Sequence, residues 1–176
     1  MLPPFLLAWK MKKEDIIKLL DLKPHIEGGY FRETYRAAET IPPRALPERY
    51  EGERNFSTAI YYLLTSETRS ELHRLKSDEI FHFYIGDPVL MLLLFPDGFS
   101  KTAILGTDLK AGQTPQLIVP KNTWMGGMLV EGGKFALLGT TVAPGFDFRD
   151  FELGKRKELL QKYPSRKELI IKLTSC

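Results

Sequence analysis

The sequence predicts an all-β protein, a sandwich or jelly-roll barrel flanked by short helices. From Ser57 the pattern is that of β-strands throughout, with apolar–polar alternation clearest over Glu79–Ile85. The alternating runs are short and recur at about 8–12-residue spacing. The breaks between them carry turn chemistry: SETR, KSD, GDP, PDGF, KAGQTP, PKN, EGGK and APG. A sheet built from βαβ units would need helical periodicity between the strands, and this region has none.

Length and composition bound the rest. A chain of 176 residues fits one domain with a sizeable core. The net charge is only +3, and the surplus gathers after Gly154, at Lys155, Arg156, Lys157, Lys162, Arg166, Lys167 and Lys172. That cluster reads as a solvated helix face, so no nucleic-acid partner is expected. The single cysteine, Cys176, excludes an internal disulfide and a C-x-x-C metal site. The apolar run Leu2–Trp9 is too short to span a membrane, and it has neither a leading basic region nor a cleavage site after it. Residues 1–10 are read as a disordered or docking extension. No other segment approaches the length of a membrane span, so a cytoplasmic protein with no membrane partner is expected.

Taken in order, residues 12–22 place Ile16, Ile17, Leu19, Leu20 and Leu22 on one broad face, an amphipathic helix stopped before Pro24. Gly28-Gly29 permits a sharp bend, and Tyr30–Arg36 alternates as a strand. The segment 37–55 is polar, holds three prolines, lacks periodicity and reads as a lid or an arm onto a partner. Strands are predicted over 58–64, 70–75, 79–85, 89–95, 101–105, 116–119, 125–130 and 135–142. The compact FDFRDFEL follows, then one or two closing helices over 155–163 and 165–173. The domain is thus drawn as 11–153, with its barrel over 25–145 and a helical tail over 154–176.

The stretch SELHRLKSDEIFHFYIG, Ser70–Gly86, gathers the candidate chemistry. His73 and Glu79 flank a short turn, so two adjacent antiparallel strands would aim both into one barrel mouth. Within the second strand Glu79, Phe81 and Phe83 share one face, and Ile80, His82 and Tyr84 the other. If Glu79 looks inward, His82 looks away from it.

These residues resemble the cupin superfamily, whose first motif is G-x5-H-x-H-x3,4-E-x6-G and whose second is G-x5,7-P-x-G-x2-H. His73, Glu79 and Gly86 fit the first, with Leu75 in place of the second histidine. Gly112 and Pro120 fit the second, with Asn122 for its glycine and Met125 for its histidine. The stretches HIEGGYFRETYR, STAIYYLL, LHRLKSDEIFHFYIGDP, ILGTDLKAGQTPQLIVPKNTW and TVAPGFDFRDFEL are similar to one branch, the fifth cupin type, a small family of unknown function. The resemblance implies a double-stranded β-helix, usually dimeric, whose activity is not established for the family; one small-molecule pocket at the barrel mouth is expected.

A cupin metal site takes three histidines and a carboxylate. This chain keeps His73 and Glu79, two ligands where a closed site needs more, so no metal cofactor is expected and these two are the candidates if one binds. The metal-free expectation follows the cupin group that epimerises nucleotide-linked deoxy-sugars, which also resembles this chain at GGYFRE and Leu72-His73. There His73 serves as base, a tyrosine or Glu79 as acid, and Asp147 or Asp150 as orienting group. Arg32 would hold an anionic group of the ligand, and Phe81, Phe83, Gln116 and Trp124 would complete the lining. The expected ligand is small and polar or anionic: a sugar, a sugar nucleotide or a carboxylic acid. A non-catalytic sensor and a metal-dependent enzyme are the alternatives, and a homodimer is expected from open β-edges and the proline-rich segment 37–55.

Overall fold

A strand that alternates apolar and polar side chains buries one face, so a chain rich in such strands folds as sheets closing on a shared interior. A computed structural model describes residues 11–175, so the proposed extension over 1–10 lies outside the described residues. One sheet runs, in spatial order, β1 (Lys23–Pro24), β2 (Tyr30–Arg36), β5 (Thr58–Thr65), β12 (Phe135–Ala143), β7 (Asp78–Gly86) and β10 (Gln116–Val119). The other runs β13 (Phe151–Leu153), β6 (Ser70–Leu75), β11 (Trp124–Leu129), β8 (Val89–Leu94) and β9 (Ser100–Leu105). From β5 onward the chain crosses between sheets at almost every turn, with the antiparallel β8–β9 pair as the exception. This is the jelly-roll barrel that the alternation and its turns predict.

The crossing corrects one expectation. β6 and β7 are consecutive in sequence but belong to opposite sheets, so His73 and Glu79 meet across the barrel and not along a shared ladder. The Lys76-Ser77 connection is a passage between layers, with the Ser77 hydroxyl donating to the Pro144 carbonyl at 3.1 Å.

Three apolar clusters hold the layers. Tyr62, Leu64, Phe81, Met91, Leu93, Leu117, Met125 and Leu138 fill the interior. Leu72, Leu92, Leu94 and Trp124 face the other way, under Leu159, Tyr163, Ile170 and Leu173 of the C-terminal segment. That segment carries α2 (Arg156–Lys162) and α3 (Lys167–Lys172). The unbroken run Val89–Leu94 follows from this arrangement, because both faces of β8 are covered and neither needs a polar residue. Burying one leucine contributes roughly 1.5–3 kcal/mol, so the two short helices are held by packing and not by their own propensity. On the far side α1 (Lys13–Leu19) lays Ile16 against Leu63 and Leu137, in a cluster that Leu22 joins.

Segment 37–55, read as a lid or arm, is tied to the barrel. β3 (Thr40–Ile41) pairs with β4 (Arg54–Asn55). The Arg54 guanidinium donates to both oxygens of Asp150, each at 2.7 Å, with both side chains buried. Asn122, standing where the cupin motif has glycine, adopts φ 62°, a left-handed conformation that asparagine tolerates better than most residues.

Candidate active site: a buried acid–base cluster

The barrel interior opens at one end into a cavity of about 260 Å³. Phe31, Ile60, Glu79, Thr140 and Val142 line it from one sheet, and His73, Leu75 and Phe151 from the other. Phe146, Asp147 and Phe148, on the connection before β13, close the side, and His25 and Glu27 reach in from the turn before β2.

That turn is shaped by glycine. Gly28 has φ 98°, and a Cβ there would sit 2.1 Å from the Arg69 carbonyl oxygen, a contact no side chain can make. The bend presents the Glu27 carbonyl to the Glu71 amide at 2.8 Å, which locks Glu27 alongside β6. Its carboxylate Oε2 then lies 2.9 Å from Nδ1 of His73. The Glu71 carbonyl oxygen lies 2.8 Å from the same nitrogen. Both oxygens accept only, so Nδ1 carries a proton and donates, and Nε2 is left facing Glu79 Oε2 at 3.9 Å. That gap is too long for a hydrogen bond and wide enough for a ligand oxygen to reach both groups.

The electrostatics follow from burial. Loss of water disfavours the charge on His73, but the Glu27 charge and hydrogen bond, joined by Glu79, outweigh it and raise the imidazole pKa well above 6.5. Burial also works against the Glu27 carboxylate, and His73 together with His25 and Tyr62 more than offsets it, so its pKa falls below 4.5. For Glu79 burial prevails over the His73 and Thr140 contacts, with Glu27 adding repulsion, and the pKa rises. His25 is pushed down by burial, against the pull of Glu27. Its Nδ1 accepts from the Glu27 amide at 3.3 Å, so it sits as a neutral imidazole edge-on to Phe31. The Tyr62 hydroxyl, held well above its ordinary pKa by burial, donates to the Gly28 carbonyl at 2.8 Å.

The structure brings His73 and Glu79 together and separates the other candidates. Arg32 points out of the barrel, its guanidinium 5.7 Å from the Tyr61 ring centre, because β2 turns Phe31 and Glu33 inward. Phe81 and Phe83 belong to the packed core and do not line the cavity. Gln116 is exposed beside His82, with its amide nitrogen 3.3 Å from Nδ1, and His82 Nε2 is 3.2 Å from the Thr141 hydroxyl. His82 thus faces away from Glu79, as the strand alternation predicts. Trp124 lies in the cluster beneath the C-terminal helices, with Arg74 over its ring at 4.4 Å.

Asp147 lines the cavity but does not orient His73. Arg149 grips its carboxylate at 2.9 and 2.6 Å, and this pairing holds the Asp147 pKa far below the usual range. Asp150, the other acid considered, is taken up by Arg54. The orienting carboxylate is Glu27. Its trace in the sequence is the pairing of His25 and Glu27 with two glycines, polar residues at a sharp bend.

The donor set does not fit the metal centre of the superfamily. Leu75 and Met125 stand at two ligand positions, and Met125 pairs with His73 across β11 and β6. No three His, Cys, Asp or Glu residues among those described are arranged to hold a metal ion. Among the described residues no helix is long and apolar enough to cross a membrane.

Known proteins share this architecture. Among solved structures, a hypothetical protein from Leishmania major superposes with a TM-score of 0.86 at 30% identity, over 94% of this chain and 100% of that one. A protein from Shewanella oneidensis does so with a TM-score of 0.83 at 38% identity, over 94% and 98%. Oxalate decarboxylase from Bacillus subtilis, at 17% identity and a TM-score of 0.52 over 88% and 37%, shares the fold alone. An uncharacterized protein of Saccharomyces cerevisiae is 31% identical over 156 residues, 84% of this chain and 78% of its own length. Residues 14–154 match the family described as Cupin superfamily (DUF985), and the chain belongs to that family of the cupin superfamily.

Proposed function

We propose that the chain is a metal-independent acid–base enzyme, of isomerase or epimerase type, acting on a small polar compound held in the barrel. The observation that carries this is the facing pair His73 Nε2 and Glu79 Oε2, with Glu27 fixed behind the imidazole.

The pKa directions support roles in reverse of the sequence expectation. A carboxylate raised by burial is a stronger base than an ordinary one, and an imidazole raised well above 6.5 stays protonated at neutral pH. Glu79 removes a proton from the carbon next to a carbonyl, and the His73 Nε2–H donates to the carbonyl oxygen, giving a neutral enol. Protonated Glu79 then returns its proton to the other carbon while neutral His73 takes a proton back from the enediol hydroxyl, which completes an isomerisation; return to the opposite face after the enol turns over in the cavity completes an epimerisation. Glu79 and His73 thereby recover their starting states. Glu27 keeps its charge and acts as a positioning residue.

The test is solvent deuterium exchange at the carbon beside the carbonyl, followed by proton NMR over a panel of enolisable ketones and aldehydes. Exchange above the solvent rate is expected, persisting after dialysis against EDTA and falling by about 10²–10⁴-fold in Glu79→Gln. Saturable binding without exchange would instead make the protein a binding module. Exchange abolished by EDTA would point to a metal.

Cytoplasmic residence and a homodimer belong to the same reading. The single cysteine supports the first. For the second, the outer face of the β7–β10 pair shows Tyr84 at 47% exposure and Ile118 at 57%, apolar area of the kind a self-complementary contact covers. Sedimentation at micromolar concentration is expected to show twice the chain mass, and a monomer alone would remove it.

A further inference from the structure

The cavity also says what kind of molecule it takes. Among the described residues, the one arginine at its lining, Arg36, and the Arg149 that pairs with the lining residue Asp147 are both already occupied. Arg36 donates through Nε and Nη2 to the two oxygens of Glu33, at 2.9 and 2.7 Å, and through Nη1 to Asn55 and the Phe146 carbonyl, at 2.8 and 3.2 Å. Arg149, which neutralises Asp147, spends its remaining nitrogen on the Glu51 carbonyl at 2.6 Å. His73 is bracketed by Glu27 and Glu79. A phosphate or carboxylate entering here would meet Glu27 and Glu79 against the single imidazolium of His73 and, among the described residues, no unpaired arginine or lysine at the lining, and adding a further buried negative charge to an already negative cluster is strongly disfavoured. The anionic ligand expected from the sequence therefore does not match this lining.

The apolar side of the cavity is aromatic. Phe151 stacks on the His73 ring, with centroids 5.2 Å apart and planes at 29°. Phe146 and Phe148 extend that wall toward the mouth, their rings 5.0 Å apart and edge-on. Phe148 remains 63% exposed while lining the cavity, apolar surface that a flat ligand would cover. Phe31 and Ile60 stand on the inner face of the other sheet. A cavity of about 260 Å³ lies at the small end of the range for small-molecule sites, about 300–1,000 Å³, a size that suits a one-ring compound.

We propose that the ligand is an uncharged, ring-bearing carbonyl compound, its ring against Phe148 and Phe151, its carbonyl oxygen at His73 Nε2 and the C–H next to that carbonyl toward Glu79. The inference rests on the acid–base reading for the carbonyl and on the lining alone for the ring and the charge.

Three probes separate these elements: 2-hydroxyacetophenone, neutral with a ring; phenylglyoxylate, with a ring and a carboxylate; and dihydroxyacetone, neutral without a ring. NMR titration of the full chain is expected to rank 2-hydroxyacetophenone at least tenfold tighter than either of the others. Phe148→Ala, at an exposed position, is expected to weaken 2-hydroxyacetophenone about tenfold and leave dihydroxyacetone unchanged. Equal binding of the three, tighter binding of the carboxylate, or no saturable binding of 2-hydroxyacetophenone overturns the inference. Proton exchange on dihydroxyacetone with no preference for the ring would leave the acid–base reading standing and remove this one. Ring-selective binding without exchange would do the reverse.

Discussion

Glu27 Oε2 lies 2.9 Å from His73 Nδ1, and this buried contact decides which nitrogen of the imidazole faces the cavity. Glu27 comes from a turn and His73 from β6, joined by the backbone bond from the Glu71 amide to the Glu27 carbonyl. Replacing Glu27 by glutamine keeps the size and removes the charge. Exchange in the NMR assay is expected to fall by about 10–100-fold, the usual cost of losing an orienting partner. Asp147→Asn, which disturbs a carboxylate held by Arg149, is expected to change it far less.

Glu79 is buried with its ionised form disfavoured, so it sits at a cost to the fold. Glu79→Gln is therefore expected to unfold later in urea at neutral pH, by about 0.5–2 kcal/mol, while losing exchange activity. A variant that is less stable than the parent would contradict the burial argument.

Stability should fall toward alkaline pH. His73 has a folded pKa well above its ordinary 6.5, so its contribution is fully present below 6.5 and is lost as pH rises through the folded value. Glu79, also raised, acts in the same sense from 4.5 upward. Glu27, lowered, contributes above 4.5 and loses that contribution as pH falls through its folded value. Urea midpoints measured from about pH 6 to about pH 10 are expected to decline for the parent and to flatten in His73→Gln.

The Arg54–Asp150 pair ties segment 37–55 to the connection that carries Phe146 and Phe148. Arg54→Ala leaves the buried Asp150 with only the looser Lys76 contact at 3.9 Å, and a loss of up to about 3–5 kcal/mol is expected in denaturant unfolding. The double variant Arg54→Met, Asp150→Leu should recover much of this, because neither charge then remains alone.

Much of the fold was legible because alternation and turn chemistry are local. Each long strand lies within a residue or two of its expected span. His73 and Glu79 were legible from their spacing. What was not legible depended on which sheet each strand joins. Strand alternation leaves the phase open, so Arg32 was placed inward when Phe31 and Glu33 hold that face. Trp124 reads as a cavity residue from its motif alone, although Leu159, Tyr163, Ile170 and Leu173, far along the sequence, are what cover it. Glu27 escaped because it lies outside any strand, and only closure of the barrel brings its turn against β6.

The central claim is that Glu27 and Glu79 keep His73 protonated at neutral pH with Nδ1 turned away from the cavity. The most direct measurement is a titration of the ¹⁵N-labelled imidazole by long-range ¹H–¹⁵N NMR. A His73 that stays imidazolium well above 6.5, and whose pKa drops in Glu27→Gln, is the predicted result. A His73 that titrates at or below 6.5, or is unmoved by the Glu27 substitution, would contradict the account.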